Sequence, residues 1–137
     1  MTVETILAER GENPKKAHGA LKPCLSYMPT SILLAVARVF ELGARKYGLR
    51  NWRRQPIDAS TYYDAMNRHL IAWFEGGEDI DPESGQSHLA HVVACAMIVM
   101  DSRNLGTLKD DRGRTEVLTG ANADKPEPVR HVIWDHK

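Results

Sequence analysis

One stretch constrains this chain more than any other: HLAHVVACAMIVMDSRNL, running from His88 to Leu105. At helical spacing its Val92, Val93, Ala96, Met97, Val99 and Met100 spread around nearly the whole circumference. A helix that is apolar all round has no face to give to water, so it must be covered on several sides. It is the centre of a bundle or part of an oligomer interface. Ser84 or Ser87 is placed to open it, and Gly106 to close it.

Two further segments have the periodicity needed to pack against it. In SILLAVARVFELGARKY, Ser31 to Tyr47, the residues Leu33, Val36, Ala37, Phe40 and Ala44 recur at helical spacings. Thr30 or Ser31 can cap that helix, and Gly48 stops it. In TYYDAMNRHLIAWFE, Thr61 to Glu75, one face carries Tyr62, Ala65, Met66, His69, Leu70 and Trp73. Ser60 is the expected cap, and Gly76 with Gly77 the stop. Residues 1–29, with Gly11, Pro14, Gly19, Pro23 and Pro29, read as an irregular arm with one short helical turn at its start. Past residue 106 the chain is polar and rich in glycine and proline. Two β-like runs there, TEVL and RHVIW, suit a small ribbon or a clasp on a neighbouring subunit. The expected fold class is all-α: an N-terminal arm over 1–29, a helical core over 30–106 and a C-terminal extension over 107–137, in a single domain.

Charge narrows the partners. The 137 residues hold 18 Lys plus Arg against 18 Asp plus Glu, so the formal net charge is zero. A nucleic-acid backbone selects a basic excess, so no nucleic acid is expected as partner. No apolar run reaches the ~18 residues of a membrane span, and no membrane partner is expected. The start, MTVETILAERGENPKK, lacks the basic end and apolar core of a secretion signal, which implies a cytoplasmic protein. Cys24 and Cys95 make no metal-type pair and read as reduced thiols.

The charges are nonetheless segregated. GEDIDPESG places Glu78, Asp79, Asp81 and Glu83 between the second and third helices, just after Glu75. In a helical hairpin that gathers hard oxygen donors at one end of the bundle, as Mg²⁺ or Mn²⁺ requires. A solvated acidic turn facing the positive end of the next helix is the plain alternative. HLAH bears on that choice, because His88 and His91 sit three apart on one helical face and aim at a common point. Imidazole can ligate such an ion or activate a water. One capping and one core histidine is the competing reading, and His69 can equally pack in the core. A structural zinc site would need cysteines that this pattern lacks.

The basic segment is the natural counterpart. Lys46, Arg50, Arg53 and Arg54 surround Asn51 and Trp52. Ammonium and guanidinium groups bind phosphate, an amide reads a base or sugar edge, and indole stacks on a purine. Lys22, in the arm, is a further phosphate contact. A solvated loop with an anchored Trp is the alternative. The chain has no Gly-rich phosphate loop, no GxSxG elbow, no HExxH, no EF-hand pattern and no adjacent His-Asp pair. Acidic ligands, basic and aromatic contacts and a helical frame together suggest metal-assisted chemistry on a nucleotide phosphate.

Four stretches, LKPCLSYMP, ELGARKYGLRNW, RHLIAW and GEDIDPESGQSHLAH, occur in that order. In this the chain resembles the phage dATP/dGTP diphosphohydrolases, the MazZ group of the MazG-like superfamily, over about residues 21 to 105. The resemblance implies a MazG-like all-α bundle that works as a homo-oligomer, a dimer or tetramer, with sites near subunit boundaries. It implies cleavage of a purine deoxyribonucleoside triphosphate, dGTP or dATP, to the monophosphate and pyrophosphate. In phages that replace adenine with 2-aminoadenine, such an enzyme supplies dGMP for the modified nucleotide and can remove dATP.

Enzymes of this kind hold their ions with an ExxE pair on one helix and an ExxD pair on the next. Glu75 and Glu78 stand in the first position, but His88 and His91 replace the second in register. Either the histidines ligate, or the ions shift toward Asp79, Asp81 and Glu83, with Glu41 and Asp101 as outlying candidates. The implied metal ligands are Glu75, Glu78, Asp81, His88 and His91, for about two or three Mg²⁺ or Mn²⁺ ions. Glu78 or His88 would take the water's proton. Lys22, Lys46 and Arg54 would meet phosphates, and Asn51 and Trp52 the nucleoside. A catalytically silent nucleotide sensor of the same fold is the alternative function.

Overall fold

The computed structural model describes residues 1–11 and 13–113, so both β-like runs, at 115–118 and 130–134, lie outside the described residues. The arm holds more regular structure than its glycines and prolines predict: α1 (Val3–Glu9), α2 (Lys15–Gly19) and a 3-10 turn over Leu25–Tyr27. Thr2 caps α1, its hydroxyl accepting from the Thr5 N–H at 3.3 Å. Pro14 precedes α2, where a missing N–H is no loss.

Helix α3 (Thr30–Tyr47) is the first long element. Neither Thr30 nor Ser31 caps it; Pro29 holds the cap position and sets the entry by its fixed φ, without a side-chain acceptor. Gly48, at φ 94°, closes it with an N–H to the Ala44 carbonyl at 2.9 Å. Arg50 then takes a left-handed φ of 51° and turns the chain into α4 (Asn51–Arg54). The basic segment, expected to be a loop, therefore carries a helical turn. It continues into β1 (Ile57–Asp58), then α5 (Ala59–Phe74), α6 (His88–Leu105) and β2 (Leu108–Lys109). The two strands pair in parallel, Ile57 with Leu108 and Asp58 with Lys109. Among the described residues, apart from that short ladder and one isolated bridge between Ile80 and Ser87, the fold is all-α.

Ser60 does not cap α5. Asp58 holds the cap position and makes no side-chain capping bond. Asp111, brought alongside by the β1–β2 ladder, accepts instead from the Ser60 N–H at 2.8 Å and from the Ser60 hydroxyl. A carboxylate there satisfies orphan donors and suits the positive end of the helix.

The core is small: Val36 and Val39 of α3 meet Ala90 and Ala94 of α6, flanked by Ala35 and Phe40. The alanines let α3 and α6 approach closely, while α5 runs along the neighbouring side of α6. Ser87 caps α6 by accepting from the Leu89 N–H at 3.1 Å, and Gly106 ends it at φ 76°. Within one chain, however, one strip of α6 stays open. Its buried residues are His88, Ala90, Ala94 and Ser102, whereas Val93, Met97 and Met100 are 42, 43 and 67% exposed. No helix among the described residues is long and apolar enough to cross a membrane.

Candidate active site

The acidic turn is closed by its own backbone. α5 ends with the Glu75 and Gly76 N–H groups both on the Ile71 carbonyl, and the Glu78 N–H reaches back to that of Ala72 at 3.1 Å. This winding needs glycine twice. A Cβ on Gly76 would sit 2.7 Å from the Ala72 carbonyl oxygen, and Gly77 has a φ of 63°. Three bonds then pin the turn: Asp81 N–H to Gln86 O at 2.8 Å, Gly85 N–H to Asp81 O at 2.8 Å, and His88 N–H to Asp79 O at 3.0 Å. They push the Asp81 side chain inward, where the residue is only 9% exposed, while Glu78, Asp79 and Glu83 stay at the surface.

Asp81 meets histidines from both helices. Its Oδ2 accepts from the Ser84 N–H at 2.9 Å and lies 3.3 Å from His91 Nε2. Ser84 Oγ is 2.7 Å from the same nitrogen. His69, from α5, stacks on His91 with centroids 4.2 Å apart and planes 13° apart. Its Nδ1 lies 2.9 Å from Nδ1 of His88. His88 is buried, and its Nε2 has no hydrogen-bond partner; Glu78 Oε2 stands 3.6 Å away, too far for a hydrogen bond.

Electrostatics set useful protonation states here. Burial pushes the His69 imidazole below its ordinary value, helped by the neighbouring His91 and His88. Burial lowers His91 as well, partly opposed by Asp81. Burial alone would raise the Asp81 carboxyl, but its hydrogen bonds to Ser84 and the adjacent His91 and His69 more than offset that, leaving it below the usual range. Neutral imidazoles beside an ionised carboxylate are the forms that bind a cation. His69, Asp81 and His88 each bring a ligand atom within 4.8 Å of the others.

These histidines form one wall of a cleft of about 670 Å³ between α3, α4, α5 and α6. Lys46, Asn51 and Trp52 line it as well, with Phe40, Tyr62 and Arg68. Lys46 Nζ donates to Glu83 Oε1 at 2.5 Å, which raises its pKa and ties α3 to the acidic turn. Trp52 packs against Phe40 at 5.5 Å between centroids. Its indole N–H donates to Asp101 Oδ2 at 2.7 Å, so it is the ring, not the N–H, that the cleft can use. Arg53 forks onto the same carboxylate at 2.8 and 3.0 Å.

The structure thus gathers His88, His91, Lys46, Asn51 and Trp52 around one space, with Asp81 beside His91 and Glu78 beside His88, neither of them in the lining. It does not bring in Glu75, exposed at the end of α5, nor Lys22 in the arm, nor Arg54 on α4; none of these lines the cleft. Glu41 is exposed on α3, and Asp101 holds Trp52 and Arg53. Sequence reasoning left His69 ambiguous and missed Arg68 and Tyr62. All three share a stretch whose period reads as packing.

Comparison with known proteins fits this picture. The family model described as dATP/dGTP diphosphohydrolase, N-terminal, matches residues 12–112. The chain belongs to that family. A dATP/dGTP diphosphohydrolase of Salmonella phage PMBT28 is 31% identical to it over 104 residues, covering 76% of this chain and 35% of that protein. This dATP/dGTP diphosphohydrolase-family chain therefore spans about a third of the curated relative's length. No solved structure matches it.

Proposed function

We propose that the chain hydrolyses purine deoxyribonucleoside triphosphates, dGTP and dATP, to the monophosphate and pyrophosphate with the help of divalent cations. The observation that supports this reading best is the meeting, in one cleft, of His69, His88 and His91, with Asp81 against His91, and of Lys46, Asn51 and Trp52. About 670 Å³ falls in the range of small-ligand sites. A cation fits these donors, since His69, Asp81 and His88 each bring a ligand atom within 4.8 Å of the others and Asp81 is held ionised. Asp81, His88 and His69 would hold it, with Glu78 within reach. Divalent cations in this cleft, two or three per site as the family resemblance implies and Mg²⁺ or Mn²⁺ among them, would acidify a water and offset phosphate charge.

The chain's own groups do the rest. Lys46 exchanges Glu83 for a phosphate oxygen, a swap of one anionic partner for another that frees the acidic turn to adjust. Trp52 offers a ring face fixed by Phe40 and Asp101, against which a purine stacks. Asn51 supplies an amide at the same edge. Glu78 Oε2 takes the proton from the attacking water. Lys46 and Arg68 carry the charge on the departing pyrophosphate.

The uncovered apolar side of α6 supports a homo-oligomer, a dimer or tetramer. In a phage whose DNA carries 2-aminoadenine, the product dGMP would feed the modified nucleotide while dATP is depleted, in the host cytoplasm. A second reading, a catalytically silent nucleotide sensor, is favoured by the replacement of the second carboxylate pair with His88 and His91. Incubating the full chain with each dNTP and Mg²⁺ or Mn²⁺ separates the two. Monophosphate plus pyrophosphate from dGTP or dATP is expected. Nucleotide binding without turnover would hand the case to the sensor.

A further inference from the structure

Two of the three donors that converge below the cleft are nitrogens, and that composition bears on which ion sits there. The His69 and His88 Nδ1 atoms lie 2.9 Å apart. At metal–nitrogen bonds of about 2.1 Å this edge subtends roughly 90°, the angle between neighbouring ligands of an octahedral ion. Asp81 supplies a third donor: one ligand atom from each of the three residues lies within 4.8 Å of the others. The site is built: its histidines come from two different helices, Asp81 is fixed by the Ser84 N–H, and His88 is 4% exposed. The remaining carboxylates present only oxygen, and they lie outside. Glu78 is 47% exposed at its side chain, and Glu83 is 60% exposed.

From this segregation of nitrogen and oxygen donors we infer that the cleft holds two classes of cation. His69, Asp81 and His88 form a nucleotide-independent site for one late first-row divalent ion of the Co²⁺, Ni²⁺ or Zn²⁺ kind. Mg²⁺ enters separately, carried by the triphosphate to the outer carboxylates. Imidazole suits the late ions, whereas Mg²⁺ takes oxygen and keeps its waters. The inference rests on reading the cleft as a cation-dependent phosphate site, but its test needs no turnover.

The test is a Co²⁺ titration of the full chain after stripping with a chelator, followed by its visible ligand-field absorption. A saturable spectrum near one ion per chain is expected, and it should survive roughly hundredfold excess Mg²⁺. His69→Asn and Asp81→Asn should each weaken Co²⁺ binding at least about tenfold. Circular dichroism checks that each is folded, and His69→Gln serves if His69→Asn is not. No saturable spectrum, displacement by Mg²⁺, or wild-type Co²⁺ affinity in the folded variants overturns the inference. Turnover of dGTP is measured on the same samples. Full activity of the stripped protein with Mg²⁺ alone would sink the two-class inference and leave the hydrolase reading standing. Tight Co²⁺ binding with no turnover under any ion would do the reverse.

Discussion

Glu78 and His88 come from opposite sides of the acidic turn, and the 3.6 Å between Oε2 and Nε2 leaves both short of a hydrogen bond. If that gap is where a water gives up its proton, Glu78→Gln should cut turnover at least about a hundredfold with the helical circular dichroism unchanged. Full activity in that variant would remove Glu78 from the chemistry. Asp101 acts at one remove, by fixing Trp52. Asp101→Ala should raise KM for dGTP severalfold with kcat little altered, since it loosens the stacking surface and touches no reacting atom. The hydrogen bond from Arg53, then that from Trp52, holds the Asp101 carboxyl below the usual range. Its folded value is therefore lower than its unfolded one. The clamp is at full strength above the ordinary carboxylate value of about 4 and is lost as pH falls through the lower, folded value. In a Trp73→Phe, Trp134→Phe background, the Trp52 emission should hold steady from neutral pH to about 4 and shift only below it. A shift beginning near pH 6 would place control with a histidine instead.

At the scale of elements, the end of α5 is the piece most sensitive to a small change. Gly76→Ala drives a Cβ against backbone 2.7 Å away and must unwind the turn that positions Asp81. A loss of about 1–3 kcal/mol is expected in urea unfolding, together with reduced turnover. The three long helices were legible in the sequence because each carries many apolar residues at one period, and their ends fall within two residues of the reading. The short pieces were not. A two-residue parallel ladder has no period to detect, and the α4 turn depends on Arg50 adopting a left-handed φ. The cap on α5 comes from Asp111, a partner that local pattern cannot supply, so Ser60 was misassigned. His69 was unreadable for a related reason: on the apolar face of α5 a histidine looks like packing until His88 is brought to 2.9 Å of it.

For the whole molecule, the apolar surface left on α6 sets the expectation. Within one chain its small core is joined by Val93, Met97 and Met100 lying open. A second copy is the partner proposed to cover them. Val93→Asp or Met100→Lys should shift the protein from oligomer to monomer in sedimentation. Unchanged mass in both variants would place the interface elsewhere. The family was legible from four ordered stretches, whereas the division of the acidic turn, Asp81 inward and its neighbours outward, follows from backbone bonds the sequence does not display. The proposed cleavage to monophosphate and pyrophosphate runs by attack of water on the α-phosphorus. Hydrolysing dGTP in water enriched in heavy oxygen tests it directly: the label should appear in dGMP and not in pyrophosphate. Label in the pyrophosphate, or release of intact triphosphate or single phosphate, would contradict it.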